Sequence, residues 1–474
     1  MVSDEVDPTR GERPHRAQGR ELRAVPSRSR PGGQPTIELI GAFESSYQPA
    51  FDVDVAETTG HVLRWRADLE LLASCGVRSL RYPIRWHRIE RERGRFDWRQ
   101  TDEALGWMRD TGMRPIPDLL HHTSYPRWLK RGFADRRFAS SYLRYLEAFA
   151  ARYPWIEAYT LFNEPFTTFL LCGQVGLWPP HLQGVKGFLT LARNVLPALS
   201  EASRAYRDLL PRARHVYVDT CERATAANQG AAHFTDLVND RRFFVLDLFL
   251  GRDLDRGRPF VAEVLAAGGE PLLALQPGHV DVLGLDYYAH NQWQYLDGTG
   301  RGLPSSPDPA PLSDLIQEYW ERYRLPCVLG ETNIRGFAPD RASWLKYTLE
   351  QCELARGRGV PLEGYCWFPF VDSCDWDSVL VRSEGNVDPV GVYWLDDRLE
   401  RRPSSMSAAY AMAARGAPAA ELPAYRFQPP VAGWLAGWMP QMAHWEWRDP
   451  PAGEVGAQVV EDPAIGRRIR RKGS

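Results

Sequence analysis

Two glutamates each end an apolar, strand-like run. In Tyr-Thr-Leu-Phe-Asn-Glu-Pro-Phe-Thr-Thr, residues 159–168, Glu164 stands between an amide and a proline; in Pro-Cys-Val-Leu-Gly-Glu-Thr-Asn, residues 326–333, Glu331 follows a second run. Taken alone, Asn-Glu-Pro is also ordinary turn chemistry. Two carboxyl groups facing each other across a cleft can do more, because they can cleave a glycosidic bond. One, as a neutral acid, protonates the leaving oxygen, and the other, ionised, attacks the anomeric carbon or activates water. Mutual repulsion and partial burial separate their pKa values in the direction this division of labour requires.

Residues far apart in sequence need a frame that brings strand ends together. From residue 36 to about 416 the chain alternates amphipathic helices with short apolar strands. Leu-Leu-Ala-Ser-Cys-Gly-Val-Arg-Ser-Leu-Arg-Tyr shows the pattern, with Gly76, Gly112 and Gly359 placed where a helix stops in a left-handed residue. Strands are expected to begin near Ile37, Ser79, Arg114, Trp155, His215, Val280, Cys327 and Leu362, with helices over 62–74, 138–150, 185–210, 311–323 and 341–357. Eight such units predict an α/β fold, a (β/α)8 TIM barrel forming a single catalytic domain. A doubly wound open sheet is the alternative, but no Gly-x-Gly-x-x-Gly or Walker loop follows an early strand. In a barrel, catalytic groups sit at the C-terminal ends of strands, and strands four and seven lie on opposite sides of the mouth.

The remaining features set bounds. The 474 residues are 44 % apolar and 25 % charged, with a formal charge of −2, so neither nucleic acid nor an anionic surface is an expected partner. Seven scattered cysteines form no Cys-x-x-Cys pair, which argues against a zinc ribbon and fits reduced thiols in a cytoplasmic protein. No 18-residue apolar run could span a membrane, and the charged N-terminus has no apolar signal segment. Residues 1–35 read as a disordered tail. Residues 417–474 read as a partly disordered extension with Trp434, Trp438, Trp445 and Trp447, suited to covering the barrel or a subunit contact.

Six motifs in order resemble family 1 glycoside hydrolases, members of the clan of retaining (β/α)8 glycosidases, over roughly residues 36–410. Thr160-Leu161-Phe162-Asn163-Glu164-Pro165 is close to the family's fourth-strand end. The resemblance implies that Glu164 is the acid/base, that Asn163 binds the sugar 2-hydroxyl, and that Glu331 is the nucleophile. Leu80-Arg81-Tyr82-Pro83-Ile84-Arg85-Trp86-His87-Arg88-Ile89 resembles the second strand and would set Arg81 beside the nucleophile. Ser46-Tyr47-Gln48 resembles a Tyr-Gln pair whose Gln48 grips outer hydroxyls, and Leu120-His121 resembles the segment supplying a sugar-binding histidine. Gly284-Leu285-Asp286-Tyr287-Tyr288 implies that Tyr288 donates to the nucleophile. Gly364-Tyr365-Cys366-Trp367, with Asp372 and Asp375-Trp376, resembles the eighth strand and its loop, making Trp367 the sugar platform and Asp375 and Trp376 binding residues.

The chain also departs from the family pattern. Gly330-Glu331-Thr332-Asn333 replaces the usual Thr-Glu-Asn-Gly, Asp286 replaces an asparagine, and Asp375 stands where a longer glutamate is usual. The expected activity is that of a retaining β-glycosidase acting on a β-glucoside-like or related small glycoside, with no metal or organic cofactor required. A transglycosidase, a non-catalytic sugar-binding barrel, and a barrel acting on a sugar-bearing partner are the alternatives.

Overall fold

The apolar runs pair as parallel strands: β1 (Glu38–Ala42), β2 (Ser79–Pro83), β3 (Arg114–Asp118), β4 (Ala158–Tyr159), β5 (Arg214–Thr220), β6 (Val282–Asp286), β7 (Cys327–Glu331) and β8 (Leu362–Cys366). The computed structural model describes residues 37–304, 306–426, 449, 451 and 452. The strand order is β3-β2-β1-β8-β7-β6-β5-β4. The two ends meet through parallel bridges of Asp118 with Thr160 and of His121 with Asn163, so the sheet closes. Each strand leads into a helix: α1 (His61–Ser74), α2 (Arg99–Thr111), α3 (Phe138–Arg152), α4 (Gly184–Leu209), α5 (Gln229–Phe249) with α6 (Pro259–Ala266), α7 (Leu312–Tyr323), α8 (Ala338–Gly357) and α9 (Ser405–Ala414). This is the expected (β/α)8 barrel.

Strand alternation divides the core in two. Ile40, Ala42, Val216, Val218, Val282, Val328, Cys366 and Phe368 fill the barrel interior. Their sequence neighbours Leu39, Leu283, Leu329, Tyr365 and Trp367 belong to the larger cluster shared with the helices. Full burial of a leucine such as Leu80 or Leu329 contributes about 2 kcal/mol. Gly112, at φ +74°, caps α2 in the left-handed conformation expected from the sequence.

The described part of the C-terminal extension packs onto α8. Lys346 Nζ donates to the carbonyls of Ala419, Ala420 and Leu422, and the Tyr425 N–H donates to Ser343 Oγ. Residues 1–35 and Trp434, Trp438, Trp445 and Trp447 lie outside the described residues. Among the described residues, no helix is long and apolar enough to cross a membrane.

Candidate active site

The strand ends converge on a buried group of charged side chains. Glu331 ends β7, and Arg81 on β2 reaches across the barrel to it, with Nη1 at 2.6 Å from Glu331 Oε1. From the loop after β6, the Tyr288 hydroxyl donates to Glu331 Oε2 at 2.7 Å. Arg81 Nη2 donates to Asp118 Oδ2 (3.1 Å) and Asn163 Oδ1 (2.6 Å). Burial alone would depress the Arg81 pKa, but Glu331 and Asp118 more than compensate and keep it protonated. Burial, reinforced by Glu331, pushes the Tyr288 phenol well above its usual value, so it remains a donor.

Glu164 is placed differently. Its backbone sits at φ +48°, a left-handed conformation that costs a non-glycine residue on the order of 1 kcal/mol. The chain holds it there from both sides: the Glu164 N–H donates to Val218 O, its carbonyl accepts from Thr168 N–H, and Pro165 opens the short helix Pro165–Phe169. His122 and Asp375, at φ +45° and +62°, share this conformation, so backbone strain recurs around the mouth. Burial, then the Glu331 and Asp219 carboxylates, push Glu164 well above the usual carboxylate range. His122 Nε2 lies 3.7 Å from Glu164 Oε2. Burial, followed by the neighbouring His121, depresses the His122 pKa and keeps that imidazole neutral. Single carboxylate oxygens of Glu164, Asp286 and Glu331 lie within 4.8 Å of one another.

The sugar-binding expectations fare unevenly. His121 is in the site, with Nδ1 2.7 Å from Asp118 Oδ2. Burial pulls its pKa down, and Asp118 more than reverses this. Among the described residues, Asn163 Nδ2 has no hydrogen-bond partner. Trp376 is also there: its ring lies against His122 and Trp178, and its Nε1 donates to Glu44 Oε2 at 3.0 Å.

Two expectations need correction. Trp367 is no platform: it is fully buried on the outward parity of β8, with Nε1 bonded to Val390 O. Phe368, one residue on, has the inward parity, stacks on His121 at 5.5 Å and lies under the Arg81 guanidinium. Asp375 does not reach outward, because its two oxygens accept the backbone N–H groups of Glu384, Gly385 and Asn386 and fold the loop around it. The expectation for Gln48 is not among these: it is buried in the ribbon that follows β1, where its amide oxygen accepts from the Ala50 N–H at 3.3 Å.

Glu44 was missed by sequence reasoning. Its carboxylate accepts from Ser45 N, Ser46 N, Ser373 Oγ and Trp376 Nε1, joining the end of β1 to the loop after β8. Asp118 was missed as well. Asp118 ends a strand just as Glu164 and Glu331 do, and that signal could have found it.

Residues 48–232 match the model of glycosyl hydrolase family 1. β-Glucosidase A of Thermotoga maritima is 22 % identical over 379 residues, covering 72 % of this chain and 83 % of the relative. A β-glucosidase of Agrobacterium sp. is 24 % identical over 361 residues, or 67 % and 77 % of the two chains. Among solved structures, a Thermotoga maritima β-glucosidase in complex with N-octyl-5-deoxy-6-oxa-N-(thio)carbamoylcalystegine superposes with a TM-score of 0.68 at 18 % identity. It covers 81 % of this chain and 98 % of that one. A β-glycosidase from Pyrococcus horikoshii gives 0.61 at 20 % identity, over 75 % and 85 %. These structural likenesses carry the fold. Fold and sequence match together define a retaining β-glycosidase. The chain is similar to glycosyl hydrolase family 1 in sequence over residues 48–232 and to its β-glucosidases in fold.

Proposed function

We propose that Glu331 is the nucleophile and Glu164 the acid/base of double displacement on a small β-glucoside-like glycoside. The observation that carries this reading is the asymmetry between two close carboxyl groups. Glu331 receives a guanidinium and a phenol, whereas Glu164 is buried beside like charges and retains its proton. Oxygens within 4.8 Å suit the roughly 5–5.5 Å carboxyl separation of retaining enzymes rather than the roughly 6.5–9.5 Å of inverting ones.

A Glu331 oxygen attacks the anomeric carbon as the glycosidic bond breaks, its electron pair going to the leaving oxygen, which takes the Glu164 proton. Glu164 then removes a proton from water. The water oxygen attacks the same carbon, and Glu331 departs with its electron pair. In this reading Asn163, whose Nδ2 has no partner among the described residues, and His121 hold sugar hydroxyls, Phe368 supplies the apolar floor, and Trp376 lines the wall. The seven buried, unbridged cysteines support a reducing, cytoplasmic setting.

The test is a panel of aryl β-glycosides with wild type, Glu331→Gly and Glu164→Ala. Expected are near-complete loss of turnover in Glu331→Gly and azide rescue of both variants, with glycosyl azides of opposite anomeric configuration. Wild-type turnover by Glu331→Gly would overturn the assignment.

A further inference from the structure

Asp286 is a third carboxyl group in this cluster, and the double displacement above assigns it no task. It ends β6, is fully buried, and neither of its oxygens meets an N–H or hydroxyl donor among the described residues. Its place is made by the residue before Glu331: a Cβ on Gly330 would lie 2.5 Å from Asp286 Oδ1. An unpartnered carboxyl seated on the backbone of the nucleophile strand, within 4.8 Å of both Glu164 and Glu331, is costly to ionise.

The groups around it bear this out. Glu331 faces it from β7, Glu164 from the end of β4, Asp219 from β5, and Arg81, a cation, from β2. That guanidinium already donates to Glu331, Asp118, Asn163 and the Gly330 carbonyl. Tyr288, Cys221 and Cys366 complete the surroundings as neutral groups, their pKa values raised chiefly by burial. Burial, then the Glu331 and Glu164 charges, push Asp286 well above the usual carboxylate range.

We propose that Asp286 is a positioning residue that shares a proton with Glu164, so that the acid/base operates as a carboxyl pair. The inference rests on Glu164 being the acid/base. Before reaction both members are protonated. When the Glu164 proton passes to the leaving oxygen as the C–O bond breaks, the Asp286 O–H donates to the new carboxylate. When water attacks, its proton returns to Glu164 and the pair is complete again. A pair of this kind loses its protons in two separated steps. After the first step one proton is still divided between the two groups, so a fraction of the enzyme keeps Glu164 protonated to higher pH than a lone glutamate would.

The experiment compares kcat/KM against pH for wild type and Asp286→Asn, whose amide fills the same volume without a titratable proton. The alkaline limb of the variant is expected at least one pH unit lower, with the acidic limb in place, whatever the plateau height. An alkaline limb at the wild-type pH would overturn the proposal. Carboxyl-labelled 13C NMR titration supplies a readout independent of turnover, and thermal melts verify folding. Wild type should show two coupled steps from this pair and Asp286→Asn one; an Asp286 that ionises in the ordinary aspartate range would equally overturn it. Failure of wild type to cleave any aryl β-glycoside would count against the glycosidase reading, whereas an active wild type with an unmoved limb would count against the proton pair alone.

Discussion

At the scale of single residues, Glu164 and Glu331 could be found because a carboxylate that interrupts an apolar run stands out. Trp367 misled for a related reason. It is the conspicuous aromatic, but one step along a strand reverses the facing of a side chain, and Phe368 has the inward step. Gly364 and Cys366, small residues four and two positions before Phe368, were the available hint of that parity. The Tyr288 hydroxyl is a directed donor to Glu331 worth about 1.5–3 kcal/mol in a charged hydrogen bond. Tyr288→Phe should therefore lower kcat by roughly 10- to 100-fold, as steady-state kinetics can check. Trp367→Phe should instead act on stability alone, lowering the melting temperature through loss of the bond to Val390 O while KM stays within about twofold.

At the scale of elements, helix stops and apolar runs located all eight units, because both signals are local. β4 shows the limit. Its regular pairing covers only Ala158–Tyr159, and the chain then continues by single bridges at Thr160 and Asn163. The ribbon of Arg223–Ala226, Gln292–Tyr295 and Gly302–Pro304 was not expected, since its partners come from separate connections and only the closed barrel brings them together. Asp375 belongs at this scale too, for it orders the loop that carries Trp376. Asp375→Ala would leave three backbone N–H groups without their acceptor at a left-handed position. It should raise KM more than it lowers kcat and cost about 1–3 kcal/mol of stability, measurable by kinetics alongside denaturant melts. The sequence made Asp375 look like a ligand because acceptor chemistry is the same whether the donor is a sugar or a backbone amide.

At the scale of the whole molecule, the mouth of the barrel stores electrostatic cost that depends on pH. Burial, only partly offset by backbone donors, pushes Asp219 up to about 7, and burial pushes Asp388 up to about 7 against the pull of Arg335. A carboxyl group whose pKa is higher folded than unfolded contributes stability that is lost as pH rises through the folded value. Stability from these two groups should thus decline from about pH 4 to about pH 7 and level off above it. Asp219→Asn should compare more favourably with wild type at pH 8 than at pH 5, whatever constant offset the altered hydrogen bonds introduce; an equal difference at both pH values in urea melts would exclude this. The Glu44 clasp bears on how such a chain is made. Glu44 meets Ser373 and Trp376 across 329 and 332 residues of sequence, and β1 has β8 as one of its two neighbours. On the ribosome the first strand must therefore wait, one edge unpaired, until the last βα unit emerges. Chains stopped before Leu362 should remain protease-sensitive and aggregation-prone, and release of the eighth strand should be the event that commits the barrel to fold.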